Sequence, residues 1–537
     1  MHTKVTLPSL RLNGRRCFSF LFHAALLLTL PVAARGQLNL NSVFSDHAVL
    51  QRDSTVPIWG TASIGADVTV KFSGQTVRTK ATQDGTWRLE LAAMKANSTP
   101  QALVATAGQD SQKINNVLIG DVWLGSGQSN MAGSVSGYAK NDPTLKAVMD
   151  KAPYPNIRLM FGGPKPKWVQ ADQSSVPRFS ALHFAFGERL HRDLDVPVGL
   201  IVGAVGGTPS GAWIPAETFA NSQKCKSVIA EFSKTSDFDA LMKSHDEKSL
   251  AWEREVAAAK KENRKPQGRA PRKPFRAGES TRGPIGNLYA RYIASVAGYR
   301  IRGVLWDQGE ARSGVVGVDQ FTMMTELIRG WREAWGQGDF PFLFVQKPSG
   351  GGCAFSKDDP ITREASEFSK RLPGAKQIGD ANVDRHLYVQ LMLDNKSAWM
   401  VPAADLGGNI HPSNKWGYGN RAAQVALFNV YNLGSDAYGP IYDSHVAQGG
   451  TITVRYSHVG GGLVAAHNEK LQGFALAGAD GKWYWAQAKI AKDTVEVSCA
   501  EVPEPKKVSY ALLRSNLQFA NLFSKEGLRA LSFEAGE

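Results

Sequence analysis

Between Asn116 and Met131 an apolar run, Val117-Leu118-Ile119 and Val122-Trp123-Leu124, passes directly into Gly125, Gly127 and then Ser129. Such a run reads as a short buried strand. Glycines supply the backbone conformations a sharp turn needs, so Ser129 is expected at the exposed end of that strand. A serine hydroxyl is a poor nucleophile until a neighbouring base takes its proton. A nucleophilic role for Ser129 therefore requires a base and hydrogen-bond donors from elsewhere in the chain. Taken alone, the stretch also fits a plain polar strand-to-helix turn.

The pattern around this strand divides the chain. Across 117–435 strand and helix signals alternate, with helices expected at 184–194, 237–261 and 288–297. Strands are expected at 196–202, 304–306 and 342–345. That alternation predicts an α/β fold with a mostly parallel, doubly wound sheet, in which ligands bind beyond the carboxyl ends of the strands. Ser129, the Gly206-Gly207 turn and Gln308 all fall just past strand ends. Residues 37–116 and 436–537 show instead short strand-like runs separated by turn signals, and are expected to form β-sandwich modules.

Residues 1–36 carry Lys4, Arg11, Arg15 and Arg16 ahead of an apolar run and a small-residue site at Ala34-Arg35-Gly36. This is the layout of a signal peptide cleaved before Gln37, with a weak twin-arginine character, and it predicts a secreted or periplasmic protein. An uncleaved anchor is the alternative, since the run is near the lower limit for a span. No stable membrane association is expected once the signal is removed.

The formal net charge is +14. Eight basic side chains between Lys260 and Arg276, against Glu262 alone, concentrate much of that excess in one Pro-rich loop. The loop lacks the interleaved aromatics that stack bases, so no nucleic-acid partner is expected. Cys17 falls within the signal, leaving Cys225, Cys353 and Cys499, which allow at most one disulfide. No spacing suggests a metal site, and no cofactor is expected.

Five short blocks, in order, resemble the sialate O-acetylesterase-like carbohydrate esterases of the SGNH hydrolase superfamily. They are Gly127-Gln128-Ser129-Asn130-Met131, Gly206-Gly207-Thr208-Pro209, Trp306-Asp307-Gln308-Gly309-Glu310, His411-Pro412 with Asn414-Lys415, and the Gly461-Gly462 and Gly473-Phe474 stretches. An opening segment, Val43 to Arg52, looks similar as well.

The resemblance implies an SGNH hydrolase core that hydrolyses O-acetyl esters on carbohydrates, sialic acid or plant and algal polysaccharide, through an acyl-enzyme. Ser129 would be the nucleophile and His411 the base. The backbone amides of Ser129 and Gly207 and the side-chain amide of Gln308 would form the oxyanion hole. Trp213, Glu310 and Arg312 are weaker candidates for substrate binding.

Two departures from the family pattern stand out. The third block continues Glu310-Ala311-Arg312 rather than Glu-Ser-Asn, so a guanidinium sits where an amide is usual. Arg312 then either recognises an acidic sugar or pairs with Glu310. The carboxylate usual two residues before the histidine is replaced by Asn409. Asp405, Glu310 or no third member at all remain open. A non-catalytic carbohydrate-binding protein on an esterase scaffold is the alternative reading.

Overall fold

The computed structural model describes residues 37–379 and 384–536, so the expected signal peptide at 1–36 lies outside the described residues. Seven strands form the central layer: β1 Asp110–Gly127, β2 Tyr154–Phe161, β3 Trp168–Ala171, β4 Val198–Ala204, β5 Gly303–Asp307, β6 Phe342–Val345 and β7 Ala398–Val401. Their order is β3-β2-β4-β1-β5-β6-β7. Neighbours run parallel except at one edge, where β3 is antiparallel to β2. The chain enters at the centre on β1, and the step from β4 to β5 crosses it. Such a switch in winding leaves a crevice at the carboxyl ends of the flanking strands.

Register shows that both faces of the sheet are covered. Trp306 of β5 lies opposite Ser126 of β1. Ser126 and Trp123 are three residues apart and therefore face opposite ways. Trp123 packs edge-on to Phe186 of helix α2 (Ala181–Leu194), whereas Trp306 packs edge-on to Trp331 of helix α4 (Gln320–Trp335). The continuous apolar run of β1 is what a strand buried on both sides requires. Helix α1 (Ser129–Ala132), the long helix α3 (Phe238–Lys261), α5 (Arg385–Asp394) and α6 (Lys415–Tyr431) complete the elements used below.

The expected boundary at 116–117 falls inside β1. The first half of this strand pairs antiparallel with Asn97–Ala107, and its second half pairs parallel with β4 and β5. Four strands of the N-terminal region thereby join the central sheet, which has eleven strands in all. One hydrophobic cluster runs from Leu38 and Trp87 through Trp123 to Leu427, so the N-terminal region shares its core with the α/β layer. The seam is polar at one point. Asp121 on β1 is fully buried and meets Arg52 at 2.9 Å and Arg302 at 3.0 Å. Burial opposes its ionisation, but the hydrogen bonds from Arg52 and the charge of Arg302 outweigh it and hold the carboxyl below the usual range.

The C-terminal region is all β. Two four-stranded antiparallel sheets contribute Val454, Val495, Phe474 and Val508 to a second buried cluster. The expected helix at 288–297 is reduced to a π-helical turn, Tyr289–Ile293, followed by turns that carry Ile293 and Val296 into the main core. Cys225, Cys353 and Cys499 are free thiols.

Candidate active site

Three strand ends converge. Gly127, the last residue of β1, is in register with Ala204 of β4 on one side and Asp307 of β5 on the other. Gly127 has φ +127°, and a Cβ there would lie 2.2 Å from the Asp307 carbonyl oxygen, so only glycine lets the strands close this tightly. The Gln128 amide then donates to that same carbonyl at 2.9 Å, turning the chain so that Ser129 starts helix α1.

His411 arrives on the chain that follows β7. After β7 the chain forms an exposed loop over 408–411, and Asn414 caps helix α6 by accepting from the Gly417 amide at 2.8 Å. His411 stands three residues ahead of that cap. Its Nε2 is 2.7 Å from Ser129 Oγ, a contact across 282 positions of sequence. The loops are tied together behind this pair. Asn130 Nδ2 donates to the Ile410 carbonyl at 3.1 Å, and Lys415 Nζ donates to Asn130 Oδ1 at 2.8 Å and to the Pro412 carbonyl at 2.7 Å. Lys415 is fully buried against the rings of Tyr138 and Tyr418, and burial pushes its pKa down to about 7.

The glycine turn after β4 forms the opposite wall. A Cβ on Gly206 would sit 3.6 Å from Ser129 Cβ, and Gly207 has φ +70°. This left-handed conformation costs an ordinary L-residue roughly 1–2 kcal/mol. The Gly207 carbonyl accepts a hydrogen bond from Arg282, and both glycines are exposed.

Several sequence expectations change here. Gln308 is fully buried, and both its amide hydrogens are spent: Nε2 donates to the Thr208 carbonyl at 3.2 Å and to the Arg312 carbonyl at 3.1 Å. Its Oε1 accepts from Gln320 at 3.2 Å. Gln308 thus holds the glycine turn to the loop after β5 and has no hydrogen left for an oxyanion. Trp213 is fully buried, donating to Thr208 Oγ1 at 3.0 Å and packing edge-on to Trp306. It is a core residue and cannot offer its face to a sugar.

Asp405 is buried and forms a two-pronged pair with Arg421, both contacts at 3.2 Å, so both its oxygens are engaged by the guanidinium. Among the described residues no carboxylate pairs with His411.

Glu310 accepts from Gln128 Nε2 at 2.7 Å and pairs with Lys347 at 3.2 Å. It therefore braces Gln128, the residue before Ser129. Lys347 also meets buried Asp307 at 3.0 Å. Burial opposes its charge, yet Asp307 and Glu310 together hold the ammonium in its charged form. Arg312, whose own φ is +52°, pairs with Asp384 at 3.7 Å rather than with Glu310. Both line a cavity of about 450 Å³. Asn130, Lys347 and Lys415 were not singled out from the sequence. Asn130 and Lys415 stand inside the quoted blocks, and this was the available signal.

Residues 119–242 match the family described as "Carbohydrate esterase, sialic acid-specific acetylesterase". The chain is 26% identical to a sialate O-acetylesterase of Rattus norvegicus over 364 residues, covering 60% of this chain and 63% of that one. It is 27% identical to a sialate O-acetylesterase of Homo sapiens over 351 residues, covering 57% of each. The aligned part thus spans about three fifths of the curated relatives' length. A solved carbohydrate acetylesterase from Xanthomonas citri superposes with TM-score 0.68 at 23% identity, covering 93% of this chain and 99% of that one, which shows a shared fold.

Proposed function

We propose that the protein is a serine esterase removing acetyl groups from carbohydrate hydroxyls, a reading supported by the match of residues 119–242 to the family described as "Carbohydrate esterase, sialic acid-specific acetylesterase". The observation that carries this reading is the 2.7 Å contact between Ser129 Oγ and His411 Nε2. In the proposed cycle His411 takes the hydroxyl proton as Oγ attacks the ester carbonyl. The same imidazolium returns the proton to the leaving sugar oxygen, and the acetyl group stays on Ser129. Water, deprotonated by His411, then attacks the acetyl-serine and releases acetate.

The negative oxygen of each tetrahedral intermediate needs donors fixed in advance. The Ser129 amide at the start of α1 and the Gly207 amide in the exposed turn take this role. With Gln308 committed to carbonyls, the backbone carries it. Orientation of His411 falls to its loop and to the Asn130–Lys415 tie, since Asp405 is bound to Arg421. The acetylated carbohydrate is the partner, and the leader-like layout of residues 1–36 in the sequence supports export to the periplasm or outside the cell. No helix among the described residues is long and apolar enough to cross a membrane.

The test is acetate release from 4-nitrophenyl acetate and from acetylated xylan, acetylated pectin and O-acetylated sialic acid. Ser129→Ala and His411→Ala should each lower kcat by at least about 10³-fold with the fold intact. Turnover unchanged in either variant contradicts the assignment.

A further inference from the structure

The basic loop expected from the sequence is built so that its charge is left uncompensated. Helix α3 ends at Lys261, and 265–276 then run without helix or strand, interrupted by Pro266, Pro271 and Pro274. Arg264 takes both nearby carboxylates, pairing with Glu255 at 2.5 Å and Glu262 at 2.6 Å. Glu279 is used by the Arg276 amide at 2.7 Å, and the Arg276 guanidinium lies over the Phe238 ring. Lys260, Lys261, Lys265, Arg269, Arg272 and Lys273 are all exposed, and among the described residues none of them has an anionic partner. Lys260 and Lys261 suit the negative end of α3, but the other four stand on irregular chain where no helix dipole favours them.

The far end of this segment is anchored at the active site. The Gly278 amide donates to Val316, the Thr281 amide donates to Gly314 at 2.8 Å, and Arg282 hydrogen-bonds the Gly207 carbonyl. Gly207 belongs to the turn that packs on Ser129. A row of unpaired cations therefore leads by continuous chain to an exposed arginine on the wall of the cleft. Phe275 is the single aromatic within it and is 40% exposed, whereas single-stranded nucleic acid binding needs several stacking rings.

We infer that 260–282 is a docking surface for acidic polysaccharide chains, which holds a carboxylate-bearing polymer while its acetylated residues visit Ser129. The inference rests on the proposed esterase reading only for what happens at the cleft. Binding itself is independent of hydrolysis.

The experiment replaces Lys260, Lys261, Lys265, Arg269, Arg272 and Lys273 together by serine, leaving the Arg264 and Arg276 contacts and the cleft untouched. Retardation in gels containing unacetylated polygalacturonate should be clear for the wild type and lost in the variant. It should also vanish near 0.5 M salt, where screening shortens to a few ångströms. With acetylated polygalacturonate, kcat/KM should fall about tenfold through KM. Values for 4-nitrophenyl acetate and for neutral acetylated glucomannan should stay within twofold. Equal retardation of variant and wild type overturns the inference, as does stronger wild-type retention by duplex DNA than by polygalacturonate. If polygalacturonate is retained but no ester is cleaved, the docking surface stands and the esterase reading fails.

Discussion

Lys415 donates its side-chain nitrogen to Asn130 Oδ1 at 2.8 Å, and Asn130 donates to the Ile410 carbonyl at 3.1 Å. The residue after Ser129 is thus fastened to the residue before His411. Misplacing reacting groups by about 1 Å can cost about 10²-fold in rate. Asn130→Ala and Lys415→Met should lower kcat by about that factor with KM little changed. Steady-state kinetics on 4-nitrophenyl acetate check this, and a change confined to KM contradicts it.

The same lysine predicts a pH dependence of stability. Burial lowers its folded pKa to about 7, whereas the unfolded chain titrates near 10.4. Between these values the unfolded state holds a proton that the folded state has released, so stability rises with pH, by at most about 1.4 kcal/mol per unit. Urea denaturation of wild type and Lys415→Met at pH 6, 8 and 9.5 should show the wild type gaining on the variant as pH rises. Parallel curves would count against a buried, proton-releasing Lys415.

Asp121 sits where the N-terminal strands join the sheet, between Arg52 and Arg302. Removing the anion from a buried pair leaves uncompensated cations, at about 3–5 kcal/mol. Asp121→Asn should therefore lower the Tm substantially while leaving the kcat of folded enzyme unchanged. Because the native carboxyl is held below its usual range, its contribution is present above the unfolded carboxylate pKa of about 3.9 and is lost as pH falls below it. Calorimetry at pH 7 and pH 3.5 should show the two proteins closer together at the lower pH.

Gln308 separates two roles by experiment. A donor to the oxyanion would cost about 10²–10³ in kcat with no loss of Tm. A brace between the Thr208 and Arg312 carbonyls predicts that Gln308→Glu, which turns a carboxylate toward two acceptors, lowers Tm and activity together. Thermal melts beside kinetics decide between them.

Much of this arrangement was legible in the chain. The apolar run of β1 pointed to a buried strand, and Ser129, Gly206-Gly207 and Gln308 lie just past the adjoining ends of β1, β4 and β5. What sequence spacing could not give was who partners whom. Asp405 looked available to His411 until Arg421, sixteen residues on, claimed it. Trp213 is a weaker candidate for substrate binding by its place beside the glycine block, yet Thr208 and Trp306 draw it into the core. The N-terminal boundary was invisible for a related reason. Strand β1 serves two pairings in succession, and its composition turns apolar at Val117 while the antiparallel pairing still runs on to Ile119, so the change of composition does not mark the change of partner.

The central claim is that Ser129 is activated by His411, and active-site labelling tests it most directly. A fluorophosphonate should modify the wild type at a single peptide containing Ser129, with the rate reduced by about 10³-fold or more in His411→Ala. Labelling at another residue, or equal rates in the two proteins, would contradict the account.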